Sequence, residues 1–79
     1  MAYEKLVLAT GTRARTLEAL APDLANVHVL RDAAHARRLR TRLGEMVAAG
    51  QPLTVLGGGF IGLELAASAR QLGLTVTVL

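Results

Sequence analysis

From Leu53 to Leu79 the chain reads LTVLGGGFIGLELAASARQLGLTVTVL, with three consecutive glycines between two apolar runs. This stretch restricts the possible folds more than any other. Leu53 to Leu56 is short, apolar and stopped by glycine, as a strand would be. A helix is expected from about Phe60 to Leu72, where Gly73 stops it. Leu74 to Leu79 is β-branched and reads as a second strand. Strand, turn, helix and strand within one sheet imply a parallel, right-handed crossover. The expected fold class is therefore α/β, with a partial Rossmann-type β-α-β unit.

Gly57, Gly59 and Gly62 fit the pattern G-x-G-x-x-G, with Gly58, Phe60 and Ile61 between them. Each glycine has a distinct physical task. The chain must turn sharply out of the strand at Gly57. Gly59 lacks a Cβ and lets a pyrophosphate approach the backbone, while Gly62 lets the helix pack closely on the strands. The helix N-terminus then offers unpaired N–H groups and a partial positive charge to the phosphates. The bland alternative, a glycine-rich turn without a ligand, is disfavoured by the complete strand–helix–strand context. A phosphate loop of the mononucleotide kind is disfavoured because no Gly-Lys-Ser/Thr follows. The acidic residue that closes the dinucleotide pattern would fall at or just beyond Leu79, so the choice between NAD and NADP stays open. Glu64 stands among Leu63, Leu65, Ala66 and Ala67. It is either a solvated helix residue favoured by the macrodipole or a functional carboxylate, and an acid in a helix covered on several sides should have a partner.

Upstream, Glu4 to Thr10 is a short apolar run ending at Gly11, which favours a buried strand. Gly11 to about Ala25 holds no period, and Pro22 breaks any helix, so a connecting loop is expected. Val27 to Leu30 has room only for a brief extended piece. Asp32 is a suitable N-cap, after which Ala36, Leu39, Leu43 and Val47 form one apolar stripe. Arg37, Arg38 and Arg42 project away from that stripe, and Gly50 with Pro52 ends the helix.

With 79 residues the chain is one small domain at most, and its marginal core limits its stability. It has no cysteine, which excludes a disulfide framework and a thiolate zinc site. Its apolar stretches are broken by glycine or charge, so no membrane span is expected. The N-terminus lacks a basic region and a cleavage site, so a cytoplasmic location is expected. The net charge is +3, with five of nine basic residues between Arg31 and Arg42. No recognition motif and almost no aromatic residues accompany them, so a solvated helix face is favoured over nucleic-acid binding.

Taken together, LTVLGGGFIGLELAASARQLGLTVTVL resembles the NAD(P)H-binding motif of FAD-dependent pyridine nucleotide oxidoreductases, in the branch of ferredoxin, putidaredoxin and rubredoxin reductases. YEKLVLATGTRAR resembles the same family's A-T-G strand end, and VHVLRDAAHARRLRTRL looks like its crossover helix. The three segments lie in the family's order and cover nearly the whole chain.

The resemblance implies that Ala9, Thr10 and Gly11 approach FAD, with Arg13 at a neighbouring, often basic position. It also implies that Gly57, Gly58, Gly59, Phe60, Ile61 and Gly62 hold the pyrophosphate of NAD(P)H, and that Glu64 lies near the nicotinamide and flavin rings. Ala14 stands where the family usually has proline, which loosens that turn. No catalytic acid, base or nucleophile and no metal ligand is expected, and His28 and His35 lack a partner motif. Residues 1–25 would be a strand and crossover of the FAD-binding domain, and residues 26–79 the first part of the NAD(P)H-binding domain. The chain would then be an internal slice, its "MA" a cloning start. The whole enzyme would move hydride from the nicotinamide to the flavin and pass electrons to an acceptor such as a ferredoxin-like protein. A non-catalytic nucleotide-binding module is the alternative, although it would not need LVLATG. On its own the slice is expected to self-associate through unpaired strand edges at LVLAT and LTVTVL.

Overall fold

A computed structural model of the chain describes residues 2–17, 19 and 24–79. Among these residues the regular elements are α1 (Ala33–Ala49), β1 (Leu53–Val55), α2 (Phe60–Gln71) and β2 (Val76–Val78). β1 and β2 pair in parallel, with Leu53 opposite Val76, Thr54 opposite Thr77 and Val55 opposite Val78. The chain is thus α/β, and α2 bridges the two side-by-side strands. Both strands are shorter than expected. The hydrogen-bonded ladder continues past their ends, however: Leu53 N–H donates to Thr75 O (2.9 Å), Leu79 N–H to Val55 O (2.9 Å) and Gly57 N–H to Leu79 O (2.8 Å).

Both helices stop in the same way. Gly73 has φ 96°, and its N–H donates to Arg70 O (3.0 Å) while Leu74 N–H donates to Ala69 O (3.1 Å). This pair of bonds defines a Schellman motif, which requires a left-handed residue after the last helical turn. Ala69 and Leu74, brought together by it, are 0% and 2% exposed. Gly50 ends α1 with the equivalent bonds to Val47 O and from Gln51 N–H to Met46 O. At the other end of α1, Asp32 is extended and its Oδ1 accepts from His35 N–H (2.8 Å).

The core joins Leu39, Leu43 and Met46 of α1 to Ala69 and Leu74, with Leu30, Leu53, Leu65 and Val76 packed around them. The apolar stripe expected on α1 is therefore corrected in part. Leu39 and Leu43 are buried, but Ala36 is exposed, Val47 is 42% exposed, and Met46 takes the inner position. At 100° per residue, Met46 follows Leu39 and Leu43 on one face, whereas Val47 is turned a further step outward.

The strand expected at Glu4 to Thr10 is not formed. The segment lies outside any strand or helix, with Leu6, Val7 and Leu8 at 59%, 85% and 80% exposure. A strand needs a neighbour to take its N–H and C=O groups, and no described residue fills that role. The connecting loop from Gly11 to Ala25 is irregular where described, and Pro22 lies outside the described residues. Val27 to Leu30 is not a strand either, although Val27 N–H closes a turn on Leu24 O (3.1 Å).

Candidate functional site

Between β1 and α2 the main chain turns through Leu56, Gly57, Gly58 and Gly59. Gly57 has φ 111°, a left-handed value that a residue with a side chain would strain to adopt, and its N–H is held by Leu79 O at the end of β2. The turn is thereby fixed to both strands. Gly59 is the N-cap of α2 in extended conformation (φ −77°, ψ −176°), and its carbonyl accepts from Leu63 N–H (3.0 Å).

Gly62, one turn into the helix, is packed against the strand exit. A Cβ there would lie 2.1 Å from Gly57 O, 3.3 Å from Gly57 C and 3.3 Å from Val55 Cγ1. Only the missing side chain lets the first turn of α2 sit this close. A Cβ at Gly57, Gly58 or Gly59 would meet nothing within 4 Å. Bare backbone at these three positions therefore faces open space, and packing within this chain does not require it at Gly58 or Gly59. No side chain caps the N-terminus of α2, and no acid occupies its first turn. Among the described residues the first N–H groups of α2, at the partial positive end of the helix, thus have no side-chain partner.

Phe60 and Ile61 open α2 and are 90% and 59% exposed; Leu63 is 52% exposed. Glu64 is exposed and forms no ion pair among the described residues. The expectation that this helix is covered on several sides, with a partner for Glu64, is corrected. α2 buries Ala66 and Ala69 on one face only, so the carboxylate is solvated and needs no counterion.

Ala9, Thr10, Gly11 and Arg13 are exposed on a separate segment, where Gly11 has φ 82°. The structure thus gathers Gly57, Gly58, Gly59, Phe60, Ile61 and Gly62 at one turn, with Glu64 further along α2, while Ala9, Thr10, Gly11 and Arg13 lie on the other segment. Their neighbour Thr12 is tied to the start of α1. Its Oγ1 accepts from Arg31 Nε (3.0 Å) and from Arg31 Nη2. In the sequence Arg31 stands out only as part of the basic excess and of the segment VHVLRDAAHARRLRTRL, and nothing singles out Thr12. No periodic signal connects two residues 19 positions apart across a loop.

The basic excess also separates on inspection. Arg42, expected to project outward, is half-buried and donates to Glu45 Oε2 (3.0 Å) and Gln51 Oε1 (3.2 Å). Its long stem lies along the helix while the guanidinium reaches polar partners at its C-terminal end. Arg37, Arg38 and Arg40 are exposed. The hydrogen bond from His35 N–H holds the carboxyl of Asp32 below its ordinary range. Among the described residues no group of histidine, aspartate and glutamate could hold a metal ion, and no helix is long and apolar enough to cross a membrane.

Residues 1–79 match the family described as pyridine nucleotide-disulphide oxidoreductase. The chain is 47% identical, over 79 residues, to the biphenyl dioxygenase system ferredoxin–NAD(+) reductase component of Paraburkholderia xenovorans, which covers 100% of this chain and 18% of that protein. It is 52% identical over 77 residues to the anthranilate 1,2-dioxygenase system ferredoxin–NAD(+) reductase component of Burkholderia cepacia, with 98% and 18% covered. It is 46% identical over 78 residues to the rubredoxin-NAD(+) reductase of Pseudomonas putida, with 99% and 19% covered. The chain therefore spans less than a fifth of the length of these relatives. No solved structure matches it.

Proposed function

This chain belongs to the pyridine nucleotide-disulphide oxidoreductase family, and from that premise we propose that it supplies part of a flavin-dependent oxidoreductase. The enzyme passes hydride from NAD(P)H to FAD and electrons onward to a ferredoxin-type carrier. Relatives named as ferredoxin and rubredoxin reductases support the direction of this transfer and the kind of partner. Residues 1–25 belong with the FAD-binding domain, and residues 26–79 begin a Rossmann-type NAD(P)H-binding domain.

One observation carries the reading. The missing Cβ of Gly62 seats α2 against Gly57, while Gly58 and Gly59 present bare backbone to open space. The residues fit a diphosphate. Gly57 turns the chain, Gly58 and Gly59 leave room for close approach, and the N–H groups of Phe60, Ile61 and Gly62 lie in the first turn of an uncapped helix. Glu64, in the next turn, would face the nicotinamide end. Ala9, Thr10, Gly11 and Arg13 would meet FAD, with the left-handed Gly11 turning the chain and Arg13 offering positive charge. The nicotinamide and flavin supply the hydride and electron chemistry; this chain's residues bind and orient.

Titration with NADH, NADPH and FAD tests the proposal. NADH or NADPH should bind, and Gly59→Val, which fills the approach, should weaken binding at least tenfold. Unchanged affinity in that variant would remove the diphosphate from the turn. The alternative, a non-catalytic nucleotide-binding module, shares the glycine turn and is distinguished by FAD. The 79-residue chain should show no reductase turnover, and flavin-coloured protein reducing an acceptor with NADH would contradict this.

A further inference from the structure

We propose that His35 makes the start of α1 a proton-sensitive clasp, in which one ring nitrogen exchanges a main-chain partner for a carboxylate. The sequence gives His35 no partner motif, but the structure sets its Nδ1 between two groups of opposite kind. Nδ1 accepts from Arg31 N–H (3.2 Å) and lies 3.5 Å from Asp32 Oδ1. In return, His35 N–H donates to that same Oδ1 (2.8 Å). The arrangement is a capping box with histidine at the third helical position, reaching one residue beyond the cap. The imidazole is half-buried, with its side chain 22% exposed.

A glutamine in this place would accept at every pH, whereas histidine cannot. Nδ1 accepts only while the ring is neutral with its hydrogen on Nε2. Once protonated, Nδ1 is a donor, so the bond from Arg31 N–H is lost and Asp32 Oδ1 is the acceptor beside it. That carboxylate is ionised when the ring takes up its proton, because the His35 N–H holds Asp32 below its ordinary range. Of the other charges nearby, Arg38, one turn on, acts on the same carboxylate, and the Arg31 guanidinium is engaged with Thr12 Oγ1. Among the described residues no charged side chain outside α1 and its cap forms an ion pair with the ring. The new positive charge stands at the positive end of the helix, which opposes it, and Asp32 compensates. Protonation therefore moves the ring from holding the incoming main chain to holding the cap. The chain entering α1 at Arg31 is fixed while the ring is neutral and released when it is charged.

The test uses the complete protein that carries this sequence, labelled with nitrogen-15 in arginine and histidine. It is followed by NMR from about pH 8 to pH 5, the span over which histidine side chains change charge. Arg31→Lys removes one arginine amide signal and so identifies it, and His35→Gln does the same for the ring. At the upper end Nδ1 should show as an unprotonated acceptor. As the ring gains its proton, the Arg31 amide should shift with the same midpoint. After correction for the pH dependence of intrinsic exchange, its hydrogen should exchange about fivefold faster, the scale of one neutral hydrogen bond. In His35→Gln the amide should keep one position and one corrected rate across the range. An Arg31 amide that stays still while the ring titrates would overturn the clasp, as would a hydrogen on Nδ1 at the upper end. The same transition surviving in His35→Gln would overturn it too. Should that variant fold poorly, the parent still decides, since ring and amide must share one midpoint. The readout needs no assignment of either cofactor, so it can fail while the functional reading stands.

Discussion

At Gly62 any side chain would bring Cβ to 2.1 Å from the carbonyl oxygen of Gly57, a backbone atom that cannot swing aside. Gly62→Ala should therefore push α2 away from the strand exit and cost roughly 1–3 kcal/mol, as overpacking typically does. Urea denaturation of the variant would show it as a lower midpoint. Gly59 presents the opposite case. Its φ of −77° suits any residue, and a Cβ there meets nothing within 4 Å. Gly59→Ala should cost no more than about 1 kcal/mol, the scale of exchanging glycine for the poorer N-cap alanine, because packing does not oppose it. It should still weaken NADH binding if a diphosphate approaches the turn. The two glycines belong to one motif, yet one serves the fold and the other leaves space.

At the scale of elements, α1 is closed by a side-chain cap at its start and by a Schellman motif at its end. Asp32→Ala should fray the first turn, seen as lower helical ellipticity. The same cap makes α1 sensitive to acid. The Asp32 carboxyl titrates below its ordinary value because its anion accepts the His35 N–H. Such a group stabilises the folded state above its unfolded pKa, and that contribution is lost as the pH falls through the folded value. Helicity should therefore decline at acid pH in the parent, and Asp32→Ala should flatten this part of the profile. Along the same helix, Met46 is 9% exposed and Val47 is 42% exposed. Met46→Ala should cost about 2 kcal/mol or more and Val47→Ala well under that, because a cavity forms only at the covered position. Equal midpoints for the two variants would place the inner face of α1 elsewhere.

For the molecule as a whole, the radius of gyration is 16.5 Å, against roughly 12 Å for a compact domain of this length. The excess agrees with the exposed N-terminal segment. Two parallel strands cannot cover α2, which leaves Phe60, Ile61 and Leu63 in solvent, and among the described residues the outer edges of β1 and β2 are unpaired. A two-stranded sheet with open edges is marginal alone and invites pairing with another copy. The isolated chain is therefore expected to form a dimer or larger assembly. Sedimentation at moderate concentration checks this, and a purely monomeric mass would count against it.

Local chemistry was enough to determine the parts of this protein governed by near neighbours. A cap at Asp32, stops at Gly50 and Gly73, and a glycine turn between an apolar strand and helix all depend on residues within a few positions. The parallel pairing of Leu53–Val55 with Val76–Val78 followed as well, because a short crossover leaves few other ways to place two strands. Tertiary structure decided what depends on distant neighbours. Leu6 to Leu8 has the composition of a buried strand, but burial requires a partner, and among the described residues it has none. Met46 rather than Val47 faces inward because Ala69 and Leu74 lie on that side, a fact no helical period contains. The hydroxyl of Thr12 meets Arg31 only because the chain folds back over the intervening loop, since residues far apart in sequence become neighbours through packing alone.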